Sequence, residues 1–150
     1  MQAMKITSIL KAEHAVFQHL FDHIEATAPQ IKTLAEVKSL AILVEKVMSA
    51  HAQTEDELFI KPLEQCFEQI GQSETFHQEH EVIEETLARV GKARSLAEAK
   101  RLLLSTIDVS RKHLDKEERI VFPLAERVLK TDTLAGLADE WMKRREAALK

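Results

Sequence analysis

The chain has no tyrosine, a single cysteine and a single tryptophan, and only three glycines and three prolines among its 150 residues. One cysteine excludes an internal disulfide and is typical of a reducing compartment. The lack of tyrosine removes one side chain that could support radical chemistry. Alanine, leucine, glutamate and lysine are abundant instead, a composition typical of a helical bundle. We therefore predict an all-α protein.

Long apolar runs and an excess of positive charge are also missing. No segment approaches about 18 consecutive apolar residues, which argues against a membrane span, and residues 1–10 lack the apolar run of a signal peptide. The formal net charge of −4 argues against a nucleic-acid surface. These features predict a cytoplasmic protein without nucleic-acid or membrane partners, a monomer or a homodimer. The length predicts a single domain, residues 1–150.

One pattern is present twice. Residues 33–55 align without a gap on residues 95–117, and each segment ends in His-x-x-x-Glu. The two pairs are His51 with Glu55 and His113 with Glu117. A His and a Glu four residues apart on a helix lie on the same face, one turn from each other. Two such faces can surround a pair of metal ions.

A weaker repeat relates the segments that precede these two. Residues 7–17 align on residues 73–83, which places His14 on His80. After the His-Glu pairs the register slips by one residue, so that Pro62 falls beside Pro123. The chain thus consists of two copies of one helical hairpin. Each copy contributes a lone histidine from its first helix and a His-Glu pair from its second.

Periodicity and caps predict the helices. Capping boxes start the second and fourth helices at Thr33 and Ser95. The predicted helices span about 5–26, 33–70 with a bend at Pro62, 73–91, 95–130 and, at the C-terminus, 132–149. Short connections make neighbouring helices antiparallel. We predict an up-down-up-down four-helix bundle over about 5–130 with an additional C-terminal helix.

Six polar residues occupy helix positions where a bundle core expects leucine or valine. They are His14, His51, Glu55, His80, His113 and Glu117. An uncompensated buried carboxylate costs several kcal/mol, and two cations would offset that cost. Four imidazoles give two nitrogens for each metal, and Glu55 and Glu117 each bridge the pair. Imidazole with carboxylate suits iron, manganese or zinc, and open coordination positions favour iron.

The same residues resemble the haemerythrin family, in particular its cation-binding, haemerythrin-like (HHE domain) branch. The resemblance covers about residues 6–129. It rests on Glu13-His14, His51-x-x-x-Glu55 with Pro62, Glu79-His80, and His113-x-x-x-Glu117-Glu118 with Phe122-Pro123. The resemblance implies a four-helix bundle that holds a non-haem di-iron centre, two iron ions with an oxo or hydroxo bridge. The six residues above are its implied metal ligands.

Two departures from the oxygen-carrying haemerythrins bear on function. Those proteins have a fifth histidine where this chain has Phe76, and a His-Asp pair five residues apart where it has His113 and Glu117. We therefore expect a protein that binds or handles dioxygen, peroxide, nitric oxide or iron itself, rather than a simple oxygen carrier. An enzyme for peroxide or nitric-oxide detoxification or iron-sulfur cluster repair is the alternative. A metal that only holds the helices together is a third reading, so whether the protein is an enzyme stays open.

Several other polar residues have two readings. His77 is either an additional ligand or a partly exposed neighbour of the site. Glu13 and Glu79 either orient imidazoles or are ordinary exposed carboxylates. The pair His19 and His23 is expected to be solvated. The basic run 143–145 is expected to complement the C-terminal dipole of its helix.

Overall fold

A computed structural model describes residues 2–64 and 73–149, with the side chains of the second range described from residue 78 onward. Over these ranges the chain is helical and contains no strand, which confirms the predicted all-α class. The helices are α1 (Ile6–Thr27), α2 (Leu34–Glu55), α3 (Ser73–Lys92), α4 (Leu96–Lys116), α5 (Phe122–Val128) and α6 (Thr131–Ala147). A short 3₁₀ turn, Ala28–Gln30, follows α1. No helix in the described ranges is long and apolar enough to cross a membrane.

Helices α2 and α4 begin where the sequence predicted. The Thr33 hydroxyl accepts a hydrogen bond from the backbone N–H of Glu36, and the Ser95 hydroxyl accepts one from Glu98, both at 3.2 Å. These side chains satisfy N–H groups that have no partner within the first turn of a helix. The two helices that carry the His-Glu pairs therefore start from equivalent fixed points, and the pairs lie at equivalent distances from those starts.

Both helices widen into a π-helical turn directly at or after the glutamate, where the sequence predicted continuous helix, bent only at Pro62. The π segments are Asp56–Ile60 and Glu117–Val121. The N–H of Lys61 donates to the carbonyl of Asp56, and that of Phe122 donates to Glu117, each across five residues. The prolines follow these segments, and the one-residue slip of the repeat falls inside them. Such π turns are frequent at functional sites.

The core consists of two apolar clusters, one on each side of the polar residues. One cluster contains Phe17 and Met48, and the other contains Leu10 and Phe59. Along α1, His14 lies between Leu10 of one cluster and Phe17 of the other. The predicted ligands thus form a layer between two buried apolar regions, which hold it from both sides.

Helix packing joins the two hairpins around this layer. The most extensive contact is that of α3 with α4, and α2 packs on both of them. Helix α1 packs on α4 and on α6, and α6 also contacts the π segment after α2. Apolar residues at steps of three and four predict a buried face of α2 at Leu40, Val44 and Val47. In the structure Val44 is buried together with Val37, Ala41 and Met48, whereas Leu40 and Val47 are only partly buried. The buried face is therefore turned slightly from the predicted one.

Candidate metal centre

The structure brings all six predicted ligands together in two groups. The groups are His14, His51, Glu55 and Glu117, and Glu55, His80, His113 and Glu117. In each group the potential ligand atoms lie within 4.8 Å of one another. Five of the six residues are buried, and His80 is partly exposed. Both groups share both glutamates, as a pair of bridged cations requires.

The ring nitrogens named Nε2 converge on the shared carboxylates. His51 Nε2 lies 3.0 Å from Glu55 Oε2, and His113 Nε2 lies 2.5 Å from Glu117 Oε1. His14 Nε2 lies 3.5 Å from Glu117 Oε2. Within each group the two imidazoles also approach each other. The Nε2 atoms are 3.3 Å apart for His14 and His51 and 2.8 Å apart for His80 and His113.

Two carboxylate oxygens test whether these residues suit a cation. Glu55 Oε1 and Glu117 Oε2 are buried and accept no hydrogen bond. Buried polar atoms normally have a partner, and a buried carboxylate without one is costly. A cation would supply it, and nitrogen with oxygen donors is a set that iron, manganese and zinc accept. The residues present therefore fit a pair of such ions.

Each of the four histidines has a carboxylate near its other ring nitrogen, Nδ1. The pairs are His51 with Glu13 at 2.9 Å, His113 with Glu79 at 2.7 Å, His14 with Glu118 at 3.2 Å and His80 with Asp56 at 3.6 Å. The first three are hydrogen bonds, and the fourth is an ion-pair distance. A carboxylate at Nδ1 keeps the proton there and leaves the Nε2 lone pair free for a metal.

These four carboxylates occupy equivalent positions in the two copies of the repeat, as the predicted ligands do. Glu13 and Glu79 directly precede the lone histidines, so the structure favours their role as groups that orient imidazoles. Asp56 and Glu118 directly follow the shared glutamates, and sequence reasoning missed their role. The signal for them was present, because an acidic residue occupies both equivalent positions.

The electrostatics of the layer follow from its burial. Burial opposes charge on His51, but the carboxylates of Glu55 and Glu13 outweigh it and raise its pKa to about 10. The pKa of His113 rises to about 10 for the same reason, with Glu117 as its strongest partner. Burial and the charge of Glu117 raise the pKa of Glu55 to about 7. The layer therefore holds protons where a cation would bind, and binding a cation releases them.

Two residues of the C-terminal helix α6 contact His51 or the carboxylate that orients it. Arg145 donates from Nε to Glu13 Oε1 at 3.0 Å and lies 4.7 Å above the ring of Trp141. The Trp141 ring is fully buried and packs edge-on against His51 at 5.6 Å. Arg145 thus supports the carboxylate that orients His51, in addition to any effect on the helix dipole. Sequence reasoning missed this because α6 lies outside the repeat.

The other residues that the sequence singled out lie on the surface or outside the described part of the chain. His19 and His23 are exposed on α1, as predicted. The side chain of His77 and the whole of Cys66 lie outside the described part of the chain, so the predictions on them stay predictions.

Comparison with protein-family models identifies the class to which this fold and site belong. The model for the hemerythrin HHE cation binding domain matches residues 5–125 and again residues 71–147. The two matches start as far apart as His14 and His80, which reflects the internal repeat. Comparisons with curated proteins and with solved structures gave no match. The chain belongs to the hemerythrin HHE cation-binding family, and cation binding is the property that this membership carries.

Proposed function

We propose that the chain is a non-haem di-iron protein that binds or handles a small ligand, namely dioxygen, peroxide or nitric oxide, or iron itself. Its six metal ligands are His14, His51, Glu55, His80, His113 and Glu117. The observation that carries the proposal is that two groups of potential ligands share both buried glutamates. A single cation would occupy only one of the two groups and leave the two imidazoles of the other group without a metal.

The proposed architecture is one domain in which α1 to α4 form an up-down-up-down bundle and α6 packs on it. Its support is the contact of α2 with both α3 and α4 and of α1 with α4 and α6. In this arrangement each helix of the bundle contributes at least one ligand. The residues that would hold the metals lie between the two apolar clusters, where electrostatic interactions are strong.

Bound iron would supply a redox-active Lewis acid with room for a small ligand. The side chains around the site orient the metal ligands, balance charge and exclude solvent. The carboxylates at Nδ1 orient the imidazoles, and Glu55 and Glu117 would offset part of the positive charge of the cations. Phe17, Phe122 and Trp141 surround His14 and His51 with aromatic rings at 5.0 to 6.5 Å. These rings exclude bulk solvent from that half of the site.

A cavity of about 30 Å³ borders the site and limits the size of its ligand. Met48, Ile83 and Leu87 line it together with His80 and His113. A water molecule needs roughly 10–15 Å³ of such volume, so the cavity is of the size that a diatomic molecule or peroxide requires. The cavity therefore favours small-ligand chemistry over a metal that only holds the helices together.

The absorption spectrum of the iron-loaded protein tests the proposed function. We expect a new visible or near-ultraviolet band when oxygen, peroxide or nitric oxide is added to the ferrous protein. Recovery of the starting spectrum after the ligand is removed indicates reversible binding, whereas steady consumption of peroxide or nitric oxide indicates the enzymatic alternative. An unchanged spectrum with all three ligands would contradict small-ligand binding and leave the handling of iron itself as the proposed function.

A comparison of the two histidines on α3 tests the ligand set. His80→Ala should lower the iron content, because His80 Nε2 lies 2.8 Å from His113 Nε2 and one metal would lose one of its two nitrogens. His77→Ala should keep two irons, because its equivalent in the repeat is Lys11. Elemental analysis of both purified variants decides. Loss of iron from His77→Ala alone would show that the assignment on α3 is wrong.

A further inference from the structure

We propose that small ligands reach the metal pair from one side only, at the position held by His80 and His113. The inference rests on the proposed function and adds which of the two metal positions takes the ligand. Each metal position has two imidazoles and the two shared carboxylates, so the protein donors do not distinguish one position from the other. The difference lies in the residues that surround them.

The cavity is asymmetric with respect to the two ligand groups. Of the group that contains His80, three members border it, namely His80, His113 and Glu117. The other group contributes only His51 besides the shared Glu117, and His14 is not among the residues that line it. At its outer end lie Ser49 on α2 and Glu84 on α3, both of which are exposed. The cavity thus leads from solvent between α2 and α3 to the His80 side.

The internal repeat shows why the space exists on this side. The equivalents of Ile83 and Leu87 are Phe17 and Phe21. Both phenylalanines are buried, and the Phe17 ring packs edge-on against His51 at 5.0 Å. Replacing a phenylalanine by a smaller aliphatic residue in a packed core leaves volume behind. The second hairpin carries the smaller residues, and the cavity lies next to them.

A second difference between the two hairpins is an arginine on the His14 side, at the position equivalent to the opening of the cavity. The equivalent of Ser49 is Arg111, which extends from α4 to α1. It donates to Gln18, to Asp22 Oδ1 at 2.6 Å and to Glu25 Oε1 at 3.2 Å, and it lies 5.6 Å from the centre of the Phe21 ring. The cavity on the His80 side thus opens beside a small serine, whereas the equivalent position on the His14 side is covered by a guanidinium that three partners hold in place.

A matched pair of substitutions tests the proposal. Ile83→Phe places in the cavity the residue that the equivalent position already accommodates, and Phe17→Ile makes the reverse change. Nitric oxide is added to the ferrous protein, and its association rate is followed by absorption. We expect Ile83→Phe to slow association by about tenfold or more, because the larger side chain fills the space through which the ligand has to pass. Phe17→Ile should stay within about twofold of the wild type.

Iron analysis of each protein separates this proposal from the proposed function. Fewer than two irons in the wild type would contradict the di-iron centre, not the access route. With two irons in all three proteins, a wild-type rate in Ile83→Phe, or an equal loss of rate in Phe17→Ile, would overturn one-sided access.

A second measurement needs no iron and no variant. Dissolved oxygen under pressure enhances the relaxation of methyl groups that it can approach, and this is read by NMR on the full chain treated with zinc. We expect stronger enhancement at the methyl groups of Met48, Ile83 and Leu87 than at those of Ile24 and Val37, which belong to the same apolar cluster. Equal enhancement at all five residues would show that a diatomic molecule has no preference for the cavity, and would overturn the proposed route.

Discussion

Removal of the metal should lower the melting temperature by roughly 10 °C, while most of the helical circular-dichroism signal remains. A ligand that binds only the native state at a thousand times its Kd adds about 4 kcal/mol, and each kcal/mol shifts the melting temperature of a chain of this size by roughly 2–4 °C. Without cations, Glu55 and Glu117 face each other in the core with one oxygen of each unpaired. Helicity survives because the two apolar clusters do not include these residues.

The measurement is a thermal melt of the iron-loaded protein and of the same sample after chelation. The double variant Glu55→Ala with Glu117→Ala is the control, because a chelator should not change its melting temperature further. Equal melting temperatures for the loaded and stripped wild type would mean that the metal binds at the surface or not at all.

Loss of either shared glutamate should have the largest effect on metal content. We expect Glu55→Ala and Glu117→Ala each to retain one iron per chain or fewer, because each carboxylate belongs to both ligand groups. Glu45→Ala is the matched control, since Glu45 is exposed on the same helix as Glu55 and should keep two irons. Metal content is measured by elemental analysis after gel filtration. Two irons in both glutamate variants would refute the bridging role.

The clustering of the candidate ligands could be predicted because its signal is local. A His and a Glu four residues apart lie on one face of any helix, whatever the helix packs against. The repeat then showed that both hairpins present the same face, and the structure brings His51 and His113 to one layer with Glu55 and Glu117. Helix starts were predictable for the same reason, since the cap at Thr33 involves residues only three apart.

Features that depend on tertiary packing were not predictable. The role of Arg145 requires that α6 pack beside α1, which brings together two residues 132 positions apart in sequence. The π segments were visible only as a one-residue slip before Pro62 and Pro123, which a simple bend at proline also explained. The cavity depends on how Ile83 and Phe17 pack, although the exchange itself is evident in the repeat.

Metal stoichiometry tests the central claim most directly. The metal-free full chain is titrated with ferrous iron in the absence of oxygen, unbound metal is removed by gel filtration, and iron and protein are quantified in the same fractions. Two cations that share Glu55 and Glu117 predict a titration that ends at two irons per chain. An end point at one iron, or no iron retained, would contradict the di-iron centre.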